Sequence, residues 1–406
     1  MLSGSGHLPP VGSNLTSAGA LFQLIRSGQA RTRADLVGLT GLARSTVAQR
    51  VSALIDLGLV KPVADGASTG GRPPKAFAFD ASAGVVCAGD LGVTHSQLAI
   101  CDLAGKVIAR DRGRLDIAVG PERMIEWMAG RFDSLLAEQG LDRGAVRGVG
   151  IGLPGPVEFA TGRPIKPPIM PGWDDFPVAD RLAEVFAGPV LVDNDVNIMA
   201  LGEHWMRRSD ERELMFVKVG SGVGCGIVSG GHILRGHEGA AGDIGHIHVA
   251  GHDDVLCHCG NTGCLEALAG GLAMAAELRR SGLEAETSAD VVALTLAGEP
   301  AAIQLVRQAG RLLGEVLSAA VNLLNPGLIV LGGDLAETDH HLMAGLREGV
   351  YQRSTPLATR DLRVLPSELG QDVGVVGAAV MVLEDILSAD SVDRLIAASE
   401  QPALAG

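Results

Sequence analysis

Apolar residues recur along the first eighty positions at the spacing of short amphipathic helices. Between Leu15 and Arg26, Leu21, Leu24 and Ile25 fall on one helical face, and Thr16 is placed to cap the start. Thr32 to Leu39 reads as a second helix, with Thr32 as N-cap and Asp35 at the reciprocal capping-box position. Thr40-Gly41-Leu42 follows as a tight turn. A third helix runs from about Arg44 to Leu57, with an apolar stripe of Val47, Val51, Leu54 and Ile55. Gly58 to Lys61 then reads as a strand and Lys75 to Phe79 as its return, around the tip Gly70-Gly71-Arg72-Pro73-Pro74.

Beyond residue 80 the pattern changes to apolar strands broken by glycine. Val85 to Leu91 leads through Gly92, Val93 and Thr94 into a strand from Gln97 to Cys101. Leu214 to Val219 leads through Gly220-Ser221-Gly222-Val223-Gly224-Cys225-Gly226 into Ile227-Val228. Each is a strand, a glycine-rich hairpin and a second strand, and such turns point backbone N–H groups inward to clasp phosphate. Their duplication predicts a two-lobed nucleotide clamp. A third strand, Leu191-Val192, ends in Asp193-Asn194-Asp195-Val196-Asn197, where an open α/β sheet presents its ligand. An aspartate there can take a proton from a sugar hydroxyl; the plainer alternative is an Asx cap on the helix that follows. Asn325 to Gly333 is a strand closing on Gly332-Gly333, suited to close approach by an adenine or another backbone.

Charge separates the helical segment from the rest. Residues 14–75 hold eight Lys/Arg against three acids, a net +5, which leaves −19 for the remainder of a chain whose total is −14. A basic head on an acidic body implies different partners for each. In the head, helix, glycine turn and helix form a helix-turn-helix layout. Arg44, Ser45, Thr46, Gln49 and Arg50 lie off the apolar stripe for base edges and phosphates, and Arg72 sits on a wing for the minor groove. The alternative is a small helical bundle with an ordinary solvated loop. In 406 residues, 47% are hydrophobic and 20% charged, which excludes a disordered chain. The Gly/Ser/Pro-rich start has no apolar run and no later stretch has the length of a spanning helix, so the expectation is a cytoplasmic protein with no membrane partner.

Three of the six cysteines, Cys257, Cys259 and Cys264, lie within eight residues. Gly260 and Gly263 let the run fold tightly, and His246 lies upstream. Three thiolates and an imidazole are the donor set of a closed, structural Zn2+ site, the only cofactor expected. The competing reading is three buried free thiols.

These residues resemble the ROK family (repressors, open reading frames and sugar kinases), in its branch with an N-terminal winged helix. The likeness runs from about Leu15 to Leu383. It rests on Cys257-x-Cys259-Gly260-x-x-Gly263-Cys264-x-Glu266, Gly152-Leu153-Pro154-Gly155-Pro156, Pro171-Gly172-Trp173, Asn194-Asp195, Gly239 to His246 and Gly374 to Ala378. It implies a winged helix-turn-helix over 1–80 and an actin/hexokinase-like pair of α/β lobes over 81–193 and 194–380, the second with the zinc site. A C-terminal helix and tail would fill 381–406. It also implies sugar contacts from Asn194, Asp195, Asp243, His246 and Glu266, with Asp195 as base in kinase members, and a nucleotide site at Asp90, Gly92, Thr94, Ser221, Gly222, Gly224, Gly332 and Gly333.

The chain departs from the kinase pattern in two places. Val93 stands where kinases carry a second glycine, adding a β-branched side chain where phosphate must approach. Asp243 stands where the family has glutamate. The nucleotide site therefore reads as vestigial, with no catalytic residue. The expected function is a sugar-responsive repressor that binds operator DNA as a homodimer or homotetramer. The alternative is an ATP-dependent hexose or N-acetylhexosamine kinase, or a bifunctional kinase-regulator.

Overall fold

A computed structural model describes residues 16–63, 76–93, 96–113, 115–338 and 340–400. Arg72 with the rest of the expected wing tip, and Thr94, lie outside them. The chain opens with α1 (Ala18–Arg26), α2 (Arg33–Thr40) and α3 (Arg44–Asp56), then an antiparallel ribbon of β1 (Val60–Val63) and β2 (Ala76–Phe79). The capping box of Thr32 and Asp35 and the left-handed Gly41 are both present. The cap of α1 differs from expectation. The helix begins at Ala18, so Ser17 rather than Thr16 reaches the free amide of Ala20, at 3.0 Å. The first strand also begins later than Gly58. That residue has φ +76°, and Gly58 and Leu59 donate back to Ile55 and Leu54, closing α3 before an extended strand can start.

The next segment contains β3 (Val85–Leu91), β4 (Ser96–Asp102), β5 (Val107–Gly113), α4 (Pro121–Glu138), β6 (Val146–Leu153), the short ribbon β7 (Val157–Glu158) and β8 (Arg163–Pro164), α5 (Val178–Ala183) and β9 (Val190–Asn194). There follow α6 (Asp195–Arg207), β10 (Leu214–Val219), β11 (Val223–Ser229), β12 (His232–Ile233), α7 (Leu265–Ala269), α8 (Gly271–Arg280), α9 (Ser288–Leu296) and α10 (Pro300–Leu324). The chain then runs through β13 (Leu328–Gly332), α11 (His340–Arg353), α12 (Pro356–Thr359), β14 (Arg363–Pro366), α13 (Val373–Ile386) and α14 (Ala389–Glu400).

Two five-stranded sheets carry this body, in the orders β5-β4-β3-β6-β9 and β12-β11-β10-β13-β14. In each, three strands meander antiparallel and two more add in parallel. The duplicated hairpins of the sequence are thus the visible part of a duplicated lobe. Between the sheets, α6 crosses α13 so closely that a Cβ on Gly377 would lie 1.6 Å from the carbonyl oxygen of Ile198, and only glycine permits that contact.

The head is packed onto the body rather than tethered to it. Leu21, Phe22, Leu36, Val47, Val51 and Leu54 are fully buried, in one continuous cluster with β3, β4 and α13. Each such side chain contributes about 1.5–3 kcal/mol by leaving water. Polar contacts add direction: the Gly19 amide donates to Asp393 of α14 at 2.7 Å, and the Gln23 amide to the Leu387 carbonyl at 2.6 Å.

Candidate functional site

The strand end at β9 delivers its polar residues in three directions. Asp193 is buried and accepts from the Asn194 amide, from Asn197 Nδ2 at 2.8 Å and from Arg235 Nε at 2.8 Å. The Arg235 guanidinium also stacks 3.7 Å from the centroid of Phe159. This clamp fixes the junction at which α6 begins. Asn194 is the N-cap of α6, its Oδ1 accepting from Val196 N–H at 2.9 Å and its Nδ2 donating to the Gly155 carbonyl at 3.0 Å. The Asx-cap alternative therefore holds for the side chain as it stands, and lone-pair capacity remains on Oδ1.

Asp195, the first residue of α6, lies in the floor between the lobes and is only 4% exposed. Lys218 of β10 donates to its Oδ2 at 2.5 Å. Burial works against the lysine charge, but Asp195, Asp90 and Asp334 together hold its pKa above the usual lysine value. Asp90, on β3 of the other lobe, rests against the first turn of α13 at Gly374. Desolvation pushes its carboxyl up to about 7, with Lys218 pulling it down and Asp195 adding to the rise. One ammonium thus serves carboxylates from both lobes. Lys218 escaped the sequence reading, and the available signal was a charge interrupting the apolar run Leu214 to Val219. Arg235 also went unremarked, and Asp193 was read only as one member of the strand-end motif.

The second hairpin packs beside the start of α6. Its turn is tighter than the glycine run suggested: β11 resumes at Val223, and only Gly220, Ser221 and Gly222 form the bend. Glu266 braces this bend, accepting the Val223 amide at 3.0 Å and filling the space beside Gly222. Gly224 packs on Val196, next to Asp195. Gly220 and Ser221 accept the first amides of α8, Gly271 and Leu272. Gly332 lies against the Phe216 ring and Gly333 against the backbone of Val219, so packing within the lobe fills the space beside the pair. Gly92 and Val93 follow β3, and the Val93 carbonyl accepts the Ile117 amide.

His246 and the three cysteines converge within this lobe, their donor atoms all within 4.8 Å of one another. Cys257 Sγ lies 3.7 Å from His246 Nδ1, and Cys259 Sγ lies 3.7 Å from Cys264 Sγ. A tetrahedral ion with bonds of about 2.0–2.3 Å sets its ligand atoms roughly 3.5–3.8 Å apart. The four side chains form a cluster able to hold a metal ion. The loop is stitched to β11 and to itself: Cys225 donates to Gly242, Val249 to Gly263 and Leu265 to Ile247. Cys264 is also the N-cap residue of α7, two positions before Glu266. Asp243 is exposed.

On the head, Arg44, Ser45 and Gln49 at the start of α3 are exposed, while Thr46 and Arg50 are half-buried. Among the described residues, one Arg50 Nη is buried with no hydrogen-bond partner. No single helix among the described residues is long and apolar enough to cross a membrane.

The ROK family description matches residues 86–385. The chain belongs to the ROK family. It is 32% identical over 308 residues to the glucokinase of Halalkalibacterium halodurans, covering 72% of this chain and 93% of that one. It is 27% identical over 371 residues to the xylose repressor of Caldicellulosiruptor bescii, covering 88% and 92%. The added coverage of the repressor is the size of the helical head. Among solved structures it resembles a ROK family transcriptional regulator described as a homologue of the Escherichia coli MLC protein. The TM-score is 0.79 at 24% identity, over 93% of this chain and 98% of that one, a likeness of fold.

Proposed function

We propose that this ROK protein is a sugar-responsive repressor. Residues 1–80 would act as a winged helix-turn-helix on operator DNA, and the lobes over 81–193 and 194–380 as the sensor, with 381–406 as the C-terminal helix and tail. The observation that carries this reading is α6. Its first residue is Asp195, in the floor of the pocket. About 15 Å further on, at the helical rise, it ends near Trp205, whose ring lies 5.2 Å beneath the Arg26 guanidinium of α1. A shift of α6 on sugar binding reaches the head without an intermediary. The sugar must bind the operator-competent and incompetent states unequally for this to matter.

Asn194, Asp195, Asp243, His246 and Glu266 are the proposed sugar contacts. Zinc is the proposed metal, held by His246 Nδ1, Cys257, Cys259 and Cys264, which leaves Nε2 of His246 for the sugar. Its part is structural: it fixes the loop that carries His246 and leads into Glu266. The binding unit would be a homodimer or homotetramer, matching paired half-sites.

Sugars at a hundred times their dissociation constant will add about 2.7 kcal/mol of stability, read by a thermal-shift screen of hexoses and N-acetylhexosamines. No shift with any sugar sinks the sensor assignment. The kinase reading keeps one observation, the presence of Asp195 beside a glycine hairpin; ADP release on adding Mg·ATP and sugar would revive it. On the head, Arg44→Ala will weaken all operator variants alike and flatten the salt dependence, whereas Gln49→Ala will alter base preference by about 1–3 kcal/mol. Gel shifts on a panel of operators distinguish the two; unchanged affinity for both variants removes the head from DNA. Trp205→Ala will leave sugar binding intact and blunt sugar-dependent operator release, measured by fluorescence anisotropy at saturating sugar. Full release in that variant would rule out coupling through α6.

A further inference from the structure

The sensor reading leaves unexplained why a lysine stands inside an otherwise apolar central strand, aimed at the pocket floor. Lys218 occupies β10 one residue before the second glycine hairpin, with its side chain 22% exposed. Its ammonium is 2.5 Å from Asp195 Oδ2. Asp90 of the opposite lobe and Asp334, just after β13, also favour its charged form. In a phosphoryl-transfer site of this geometry, the space between the carboxylate at the first hairpin and the base at the strand end is where a divalent ion bridging the phosphates must come.

We propose that Lys218 is a resident cation: it takes the place of the metal–nucleotide pair between Asp90 and Asp195, and makes the pocket a binder of neutral sugar hydroxyls without nucleotide. This deepens the sensor reading and rests on it. Three consequences follow from charge and geometry. A divalent ion entering here meets an ammonium at contact distance from one of its ligands, which costs both repulsion and a lost ligand. Asp195 has one oxygen already accepting a charge-assisted hydrogen bond, so that oxygen is occupied before any ligand arrives. The lysine also supplies, without any ligand, the charge that lets carboxylates from two lobes face one cleft.

The test is Mn2+ binding to zinc-loaded protein, followed by electron paramagnetic resonance. Wild-type protein is expected to bind Mn2+ weakly, and Lys218→Met at least tenfold more tightly, because the vacated space is lined by carboxylates. Adding Asp195→Asn to Lys218→Met should reverse the gain, and Lys218→Arg should resemble wild type. Equal Mn2+ affinity in wild type and a folded Lys218→Met variant overturns the proposal, as does a gain that survives Asp195→Asn. If Lys218→Met does not fold, Lys218→Thr, shorter and still polar, answers the same question by the same criterion. Sugar binding by the wild-type protein is measured in the same samples. Its absence would count against the sensor reading while leaving the Mn2+ comparison to decide the role of Lys218.

Discussion

Cys264→Ser is expected to abolish metal retention and sugar response together. Serine is a poor ligand for a soft, four-coordinate site, and the three donors left to zinc do not close its shell. Zinc binding contributes about 10–16 kcal/mol in peptides that fold only around the ion. Here the loop sits in a lobe with its own buried core, so the loss stays local and the variant still folds. Locality is also why the effect is specific. Cys264 is the N-cap residue of α7, and Glu266 two positions on holds the Val223 amide of the second hairpin. Freeing the start of α7 therefore releases both His246 and Glu266 from the pocket wall. After dialysis against a chelator, elemental analysis should find about one zinc per wild-type chain and none in Cys264→Ser. The sugar-induced thermal shift should vanish, and sugar-free operator binding should persist because the described part of the head packs on β3, β4, α13 and α14. A metal-free variant that still responds to sugar would sink the structural role of the ion.

What the sequence made legible was local. The capping box at Thr32 and Asp35 and the stripe Val47, Val51, Leu54 need only neighbours a turn away, and both are present. The cysteine cluster was legible because its three thiols span eight residues, and chain connectivity alone keeps them close. The doubled hairpin disclosed the doubled lobe for the same reason. Illegible were the contacts that join distant segments. Lys218 and Asp195 are 23 residues apart, Asp193 and Arg235 are 42, and Gly19 and Asp393 are 374. A lysine in a strand reads as a solvent-facing pleat position, and nothing nearby in sequence reports that the sheet is covered there by α6. The C-terminal helix was expected without a packing partner, yet α14 is part of the dock for α1. Such pairings are set by the order of strands in the two sheets, which no local pattern encodes.

Asp195→Asn is the variant that separates sensing from folding and both from catalysis. The substitution keeps the size of the side chain and removes its charge, so Lys218 loses its hydrogen-bonded carboxylate and retains the influence of Asp90 and Asp334. Breaking a buried ion pair from one side costs about 3–5 kcal/mol when the remaining charge is stranded. The partial exposure of Lys218 and its two other acidic neighbours place the expected loss below that range, at roughly 2–3 kcal/mol of stability by the same reasoning. The functional loss is separate. A hydrogen bond from a sugar hydroxyl to a charged acceptor is worth about 1.5–3 kcal/mol, so sugar affinity should fall roughly 10- to 150-fold. Calorimetric titration well below the melting transition isolates that term from the change in stability. Operator affinity without sugar should match wild type, giving a repressor that holds its operator at sugar concentrations that release the parent protein. If Asp195 were working as a base, the same variant would instead lose measurable ADP production while sugar affinity changed little. The two outcomes differ in which quantity moves, and the ammonium already seated on Asp195 favours the first.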